Sequence, residues 1–357
     1  MSDSPGRPTV LPFGREMLQW MRKGGRPERG DWRLRFQIGW QTFWFERNLA
    51  LQHRLPAVVF SGASPVFVLG LWRSGSTFLH ELMGACPGMV FPATWQCMSP
   101  ASFRFRSPPV AHGAVIRPMD GFAISAFSPQ EDEFALLALG VPSLYRAFFD
   151  PRRLAELAYW LKPESWVVDS PKGWMGVWRE FLGGVVDGKA GRLLLKSPGH
   201  TFRIQALVEA FPDASYVWLV RDPAELFLSN RKMWSSMFGR YALWNWSLPA
   251  LDMFLQEAFV SAARCLDYAT SALPQNRLAV VEFTQLVGNP AATTDALSVR
   301  LDLGDRELYK RSAEATASEK AGYRADTYDG KTLPPVASAG LEKLCVAQRA
   351  AISSHGV

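Results

Sequence analysis

The chain has 357 residues, 48% of them hydrophobic, enough to bury one large core, and no linker divides it. Its net charge of +6 is concentrated at the start, where residues 1–60 hold ten Arg/Lys against five Asp/Glu. The remainder is near neutral, which argues against a broad nucleic-acid surface. The four cysteines (Cys86, Cys97, Cys265, Cys345) lack C-x-x-C spacing and the five histidines are scattered. No metal cluster is suggested, and reduced structural thiols are expected.

The opening Met1-Ser2-Asp3-Ser4-Pro5-Gly6-Arg7 develops no apolar h-region, and no apolar run approaches the ~18 residues of a membrane span. A cytoplasmic protein is the expectation. Asp31 is placed to cap a helix running toward Leu51, with Leu34, Ile38, Phe45 and Leu49 on one face. The same segment carries Arg33, Arg35, Trp40, Trp44 and Arg47. Two readings stand: a helix packed on its own domain with arginines in water, or a peripheral membrane contact through 31–51.

Val66 to Leu69 read as a buried parallel strand that breaks at Gly70, and apolar residues resume at helical spacing from Phe78. Strand, tight loop and helix start aim backbone N–H groups and a positive helix end at one point, the physics of a phosphate site. The spacing approaches a Walker loop, but Ser76 stands where the triphosphate-binding lysine belongs and the cation comes earlier, as Arg73. Farther on, Glu131, Asp132 and Glu133 begin an apolar helical run, where carboxylates offset a helix dipole. The strand Leu193-Leu194-Leu195 delivers Lys196 and His200 to its carboxyl end, with Thr201 a candidate helix cap. The strand Tyr216 to Val220 ends in Arg221; Asp222, Pro223 and Glu225 then form a capping-box-like start, and Ser229 lies two turns in.

The loop form G-x-x-R-S-G-[ST]-T resembles the 5′-phosphosulfate loop of the sulfotransferases, whose sulfuryl donor is 3′-phosphoadenosine 5′-phosphosulfate. The stretches Arg117-Pro118-Met119-Asp120 and Pro129-Gln130-Glu131-Asp132-Glu133-Phe134 are similar to a signature of a bacterial branch of that family. Lys196-Ser197-Pro198-Gly199-His200 looks like its second motif, and matches run in order from about Pro65 to Pro290. The resemblance implies an α/β, P-loop-like three-layer fold with a central parallel sheet and helices on both faces. It divides the chain into a basic helical extension (1–55), an α/β domain (56–310) and a C-terminal tail over the nucleotide (311–357). It further implies donor binding by Arg73, Ser74, Gly75, Ser76 and Thr77, with Arg221 and Ser229 on the 3′-phosphate, and in-line transfer to an acceptor hydroxyl without metal.

Several branches of the family place a catalytic glutamate a little over twenty residues after the loop cation, but here no Asp or Glu lies between Glu81 and Asp120. The proton acceptor must therefore come from elsewhere: His200, with its unperturbed pKa of about 6.5, or Glu131, with Lys196 stabilising the leaving group. Trp72, Phe91, Trp95, Phe103, Phe105, Phe122 and Phe127 cluster between the loop and the acidic stretch, which points to a lipophilic hydroxyl acceptor. The rival readings are a P-loop small-molecule kinase and a catalytically silent nucleotide-binding, membrane-peripheral protein. Lys320, Tyr323 and Arg324 lie in a basic stretch near the end but match no family residue firmly.

Overall fold

Five short strands, β1 (Val66–Leu69), β2 (Met89–Val90), β3 (Arg192–Lys196), β4 (Ser215–Val220) and β5 (Leu278–Glu282), form one all-parallel sheet in the order β2-β3-β1-β4-β5. The computed structural model describes residues 14–25, 27–28, 32–60, 64–110, 113, 115–116, 123–167, 173–319 and 332–357. Asp31, Arg117, Pro118, Met119, Asp120, Phe122, Lys320, Tyr323 and Arg324 lie outside them, as do the side chains of Arg33, Leu34 and Arg35.

Every residue of β1 and β4 is buried, so their near-continuous apolar runs are covered on both faces. Alternation along the strands sorts the core into two layers. Phe67, Leu69, Leu195, Tyr216 and Trp218 join the larger cluster, while Val66, Val68, Leu194, Val217 and Leu219 face Leu79 and Leu82 on the other side. The result is the three-layer α/β architecture expected from the sequence.

The helices used below are α1 (Arg15–Lys23), α2 (Trp32–Gln52), α3 (Ser76–Gly84), α4 (Glu133–Ala138), α5 (Trp174–Val186), α6 (Pro198–Phe202), α7 (Pro223–Tyr241), α8 (Leu248–Ala272), α9 (Arg306–Glu319) and α10 (Ser338–His355). The strand–loop–helix units β1–α3, β3–α6 and β4–α7 all turn at the carboxyl edge of the sheet. That brings the segments holding Arg73, Lys196 and Arg221 to one rim.

Both ends of the described chain pack into this body. Met17, Trp20 and Met21 of α1 are buried in the main core, and the Gly14 amide donates to the Ala138 carbonyl at 2.8 Å. Within residues 311–357, expected as a tail, the described residues are largely helical. The 306–319 stretch is helical, α10 lies along α8, and the Val357 amide donates to the Val280 carbonyl at 3.2 Å, extending the β5 edge. Leu344, Ala347 and Ala351 supply the apolar stripe that anchors α10. Cys86, Cys97 and Cys265 are buried free thiols, and burial pushes Cys86 up to about 12.

Candidate active site

The loop after β1 owes its shape to backbone conformations that side chains rarely adopt. Gly70 has φ 132° and Gly75 φ 96°; a Cβ on Gly70 would stand 2.8 Å from the Leu219 carbonyl oxygen, and one on Gly75 would stand 2.6 Å from the Phe283 ring. Arg73 also has positive φ, 70°, a strain of about 1–3 kcal/mol for a non-glycine residue. Strain of this kind at the loop's only cation is tolerated because the surroundings over-determine it. Arg73 Nε donates to Ser229 Oγ at 3.3 Å, and its carbonyl accepts from an Arg221 guanidinium nitrogen at 3.2 Å.

Thr201 ties the loop to the neighbouring crossover. Its hydroxyl accepts the Gly70 amide at 2.9 Å and donates to the Gly70 carbonyl at 2.9 Å. The expected capping role passes to Ser197, whose hydroxyl accepts the Gly199 amide at 3.1 Å. Asp222 does cap α7 as expected, accepting the Glu225 amide at 2.9 Å, while the Glu225 carboxylate turns back to Arg221 at 2.9 Å. Arg221 further lies over the Phe283 ring at 4.5 Å, so its guanidinium is fixed by stacking and charge together.

The acidic run 131–133 is not a set of solvated helix-end charges. Each carboxylate is buried and meets a different group from the segment 196–203. Glu131 Oε1 accepts from Lys196 Nζ at 2.7 Å; Asp132 receives His200 Nε2 at 3.0 Å; Glu133 takes a two-pronged contact from Arg203 at 2.6 and 3.1 Å. Two sequence motifs some sixty residues apart therefore close on one another in register, which a linear reading of either could not show.

The three pairs differ in what lies beyond them. Lys196 Nζ also donates to Thr77 Oγ1 at 3.2 Å, linking Glu131 to the first turn of α3 and so to the anion loop. The second Glu131 oxygen accepts the Tyr145 hydroxyl, and Trp72 Nε1 donates to that hydroxyl at 3.2 Å. Burial, then the Glu131 charge, hold the Tyr145 phenol well above its ordinary pKa of 10.0, so it stays a donor. Tyr145 carries no motif, and nothing in its local sequence marks it.

His200 sits on the other side. It is 0% exposed, packed between the Phe67 and Trp178 rings at 5.9 and 5.0 Å, with its partner Asp132 also bound by Trp178 Nε1 at 2.6 Å. Its second nitrogen faces an Arg203 guanidinium nitrogen at 3.4 Å. A ring so enclosed has no face turned to an acceptor hydroxyl. Arg203 in turn lies over Trp166 and Trp174 at 4.2 and 5.6 Å.

Ser74 and Ser76 are buried within the loop, and the Ser74 hydroxyl has no hydrogen-bond partner among the described residues, an orphan polar atom in the loop after β1. The aromatic residues expected beside the site divide. Trp72 and Phe103 are core, Trp72 edge-to-face with Trp234 at 5.1 Å and Phe103 edge-to-face with Phe181 at 5.6 Å. Phe91 and Trp95 are half-buried, and Phe105 and Phe127 are exposed. The segment carrying them is pinned to the acidic run by the Thr94 amide to Ser128 carbonyl contact at 3.0 Å and the Gln130 amide to Pro92 carbonyl contact at 2.9 Å.

Residues 65–307 match the model of the sulfotransferase family. Over 295 residues the chain is 28% identical to the omega-hydroxy-beta-dihydromenaquinone-9 sulfotransferase Stf3 of Mycobacterium bovis, covering 82% of this chain and 72% of that protein. The fold is similar to that of the crystal structure of sulfotransferase STF1 from Mycobacterium tuberculosis, with a TM-score of 0.61 at 17% identity over 92% of this chain and 90% of that one. Sulfotransferase STF9 from Mycobacterium avium gives 0.60 at 18% identity over 89% and 84%.

Proposed function

This chain belongs to the sulfotransferase family, and on that premise we propose that it moves the sulfuryl group of 3′-phosphoadenosine 5′-phosphosulfate to the hydroxyl of a lipophilic alcohol. The observation that carries the reading is the position of Lys196, whose ammonium bridges Thr77 of the anion loop and the buried Glu131. A leaving-group cation and a proton acceptor thus share one contact.

The acceptor oxygen attacks sulfur while the bond from sulfur to the 5′-phosphate oxygen breaks. Charge then builds on the departing phosphate, where Lys196, Arg73 and the positive end of α3 oppose it. As Lys196 turns toward that charge, Glu131 loses a partner and takes up the acceptor proton; Tyr145 keeps the carboxylate aimed. We assign the proton-accepting role to Glu131 and not to His200, because the Asp132–His200 pair is closed on all sides by Phe67, Trp178 and Arg203. Arg221 and Ser229 hold the 3′-phosphate in this reading, while Ser74, Gly75, Ser76 and Thr77 wrap the 5′ end. The orphan Ser74 hydroxyl supports the fit, since a phosphate oxygen would satisfy it.

The acceptor class is supported by the exposed and half-buried aromatics of the 91–127 segment and by the lipid named for the Stf3 relative. It is tested by supplying radiolabelled donor with sugars, phenols, tyrosine peptides, and long-chain or polycyclic alcohols. Labelled long-chain or polycyclic product, with release of adenosine 3′,5′-bisphosphate, is the expected outcome. Preference for a sugar or peptide rejects the acceptor class and leaves the donor site standing.

A further inference from the structure

The α1–α2 hairpin carries features that sulfuryl transfer does not use. Along the outer face of α2, Phe36, Trp40 and Phe43 are 66%, 55% and 59% exposed, with ring centroids 6.3 and 6.4 Å apart. Their spacing of four and three residues puts them on one stripe, which Arg47, Leu51 and Arg54 continue. From Phe36 to Leu51 the stripe is about 22 Å long. Scattered exposed apolar residues need no explanation, but three contiguous rings do. The helix is not loosely held, because Ile38, Thr42, Phe45 and Gln52 on its inner face are buried.

Beside the stripe lies a cavity of about 360 Å³ between the two helices. One helical face of each lines it: Arg15, Leu18, Gln19 and Arg22 from α1, and Gly39, Thr42, Phe43 and Glu46 from α2. The Thr42 hydroxyl is buried there without a hydrogen-bond partner among the described residues. A Cβ at Gly39 would meet nothing within 4 Å, so the wall is open at that point. Glu46 is turned to the start of α1, its Oε1 accepting the Arg15 amide at 2.5 Å. Arg15, Arg22 and Lys23 are exposed.

We infer that this face docks on an anionic lipid bilayer, the ring stripe entering the headgroup boundary and the α1–α2 cavity taking a lipid phosphate on Arg15, Arg22 and the Thr42 hydroxyl. The charge selects this occupant. Residues 1–60 hold ten of the basic side chains against five acidic ones, a balance complementary to an anionic headgroup layer. No helix among the described residues is long and apolar enough to cross a membrane, so the contact is peripheral. The inference deepens the lipophilic-acceptor reading and rests on it for its purpose, since such an acceptor is drawn from a bilayer.

The experiment is flotation of the full chain with phosphatidylcholine vesicles, with and without phosphatidylglycerol, across a salt series. Wild type is expected to float with the anionic vesicles and to be released by salt. Combined Phe36→Ser, Trp40→Ser and Phe43→Ser should weaken that binding roughly tenfold or more. Arg15→Gln with Arg22→Gln should cost about fivefold per charge. Thr42→Val, close in shape, removes the hydroxyl and should weaken flotation with the phosphatidylglycerol-containing vesicles. Flotation of the triple variant like wild type, or equal wild-type binding to both vesicle kinds, overturns the inference. So does a wild-type dimer in sedimentation velocity that the triple variant dissociates, with no flotation of either. Turnover of a detergent-dispersed alcohol, read in parallel, separates the two ideas: turnover without flotation removes the docking face only, and flotation with sugar or peptide preference removes the acceptor class only.

Discussion

Glu131 and Asp132 are adjacent in sequence and both are buried against a group from the same strand-to-helix segment, yet they end in different surroundings. The Lys196 ammonium that meets Glu131 reaches Thr77 and the anion loop, whereas the His200 ring that meets Asp132 is closed in by Phe67 and Trp178. Asp132 is the N-cap of α4 and Glu131 precedes it, so one step along the chain moves a carboxylate from the Lys196 contact to the enclosed His200 contact. Proximity to a catalytic motif therefore says little about chemistry; what lies on the far side of each pair decides it.

The widest separation between the two pairs should appear in turnover. Glu131→Gln is expected to lower kcat by about 10²–10⁴ in the protein that remains folded, the range for losing a positioned general base. Lys196→Ala should cost about 10²–10³ through the leaving group. Single-turnover transfer from labelled donor measures both. The comparison breaks if His200→Phe, folded as wild type, is as inactive as Glu131→Gln.

The core pairs should answer in stability. Arg203→Ala leaves the buried Glu133 carboxylate uncompensated, a loss of about 3–5 kcal/mol by denaturant titration. Glu133→Leu combined with Arg203→Met should recover most of the Arg203 deficit, since burying neither charge removes the penalty. Recovery of stability without loss of transfer by the folded protein would sharpen the division between chemistry and scaffold.

Donor recognition comes next in size. Arg221→Met or Ser229→Ala should weaken adenosine 3′,5′-bisphosphate by about 1.5–3 kcal/mol, roughly ten- to a hundredfold, while 5′-AMP changes little. Calorimetry showing equal losses for both nucleotides would move these residues off the 3′-phosphate.

The smallest effect concerns His80 on α3, fully enclosed beside the Leu194 backbone. Burial first, then the Lys196 charge, hold it well below its ordinary 6.5, against a weaker opposing pull from the Leu194 backbone. The folded chain therefore binds fewer protons than the unfolded one below that value, and stability falls as pH drops through about 6.5. One such group gives a slope of at most about 1.4 kcal/mol per pH unit. His80→Leu should flatten the stability profile between pH 6.5 and 5.5 by about that much; an unchanged slope would show that His80 does not set it.

Much of the donor half was legible because its signals are local. A glycine where φ must be positive, an apolar run of strand length and an Asp-Pro-x-Glu helix start each act within a few residues of themselves, and Gly70, Val66 to Leu69 and Asp222 behave accordingly. Arg73 and Ser229 were legible as separate motifs, and the structure joins them at 3.3 Å. The acceptor side was harder, because Trp72 and Phe103 are core while Phe105 and Phe127 are exposed, and ring content alone does not distinguish these.

The sequence by itself determined the order of strand ends, the type of anion loop and the family to which these belong. Only the tertiary structure decided that Thr201 clasps Gly70 and does not cap its own helix, that Tyr145 reaches Glu131, and that His200 is enclosed. It also decided that the final helix belongs to the core layer of α8. Backbone hydrogen bonding and periodicity are set by neighbours in sequence, so they can be read from it. Burial depth and ion pairing depend on which remote segment covers a residue, and that is settled only when the layers close.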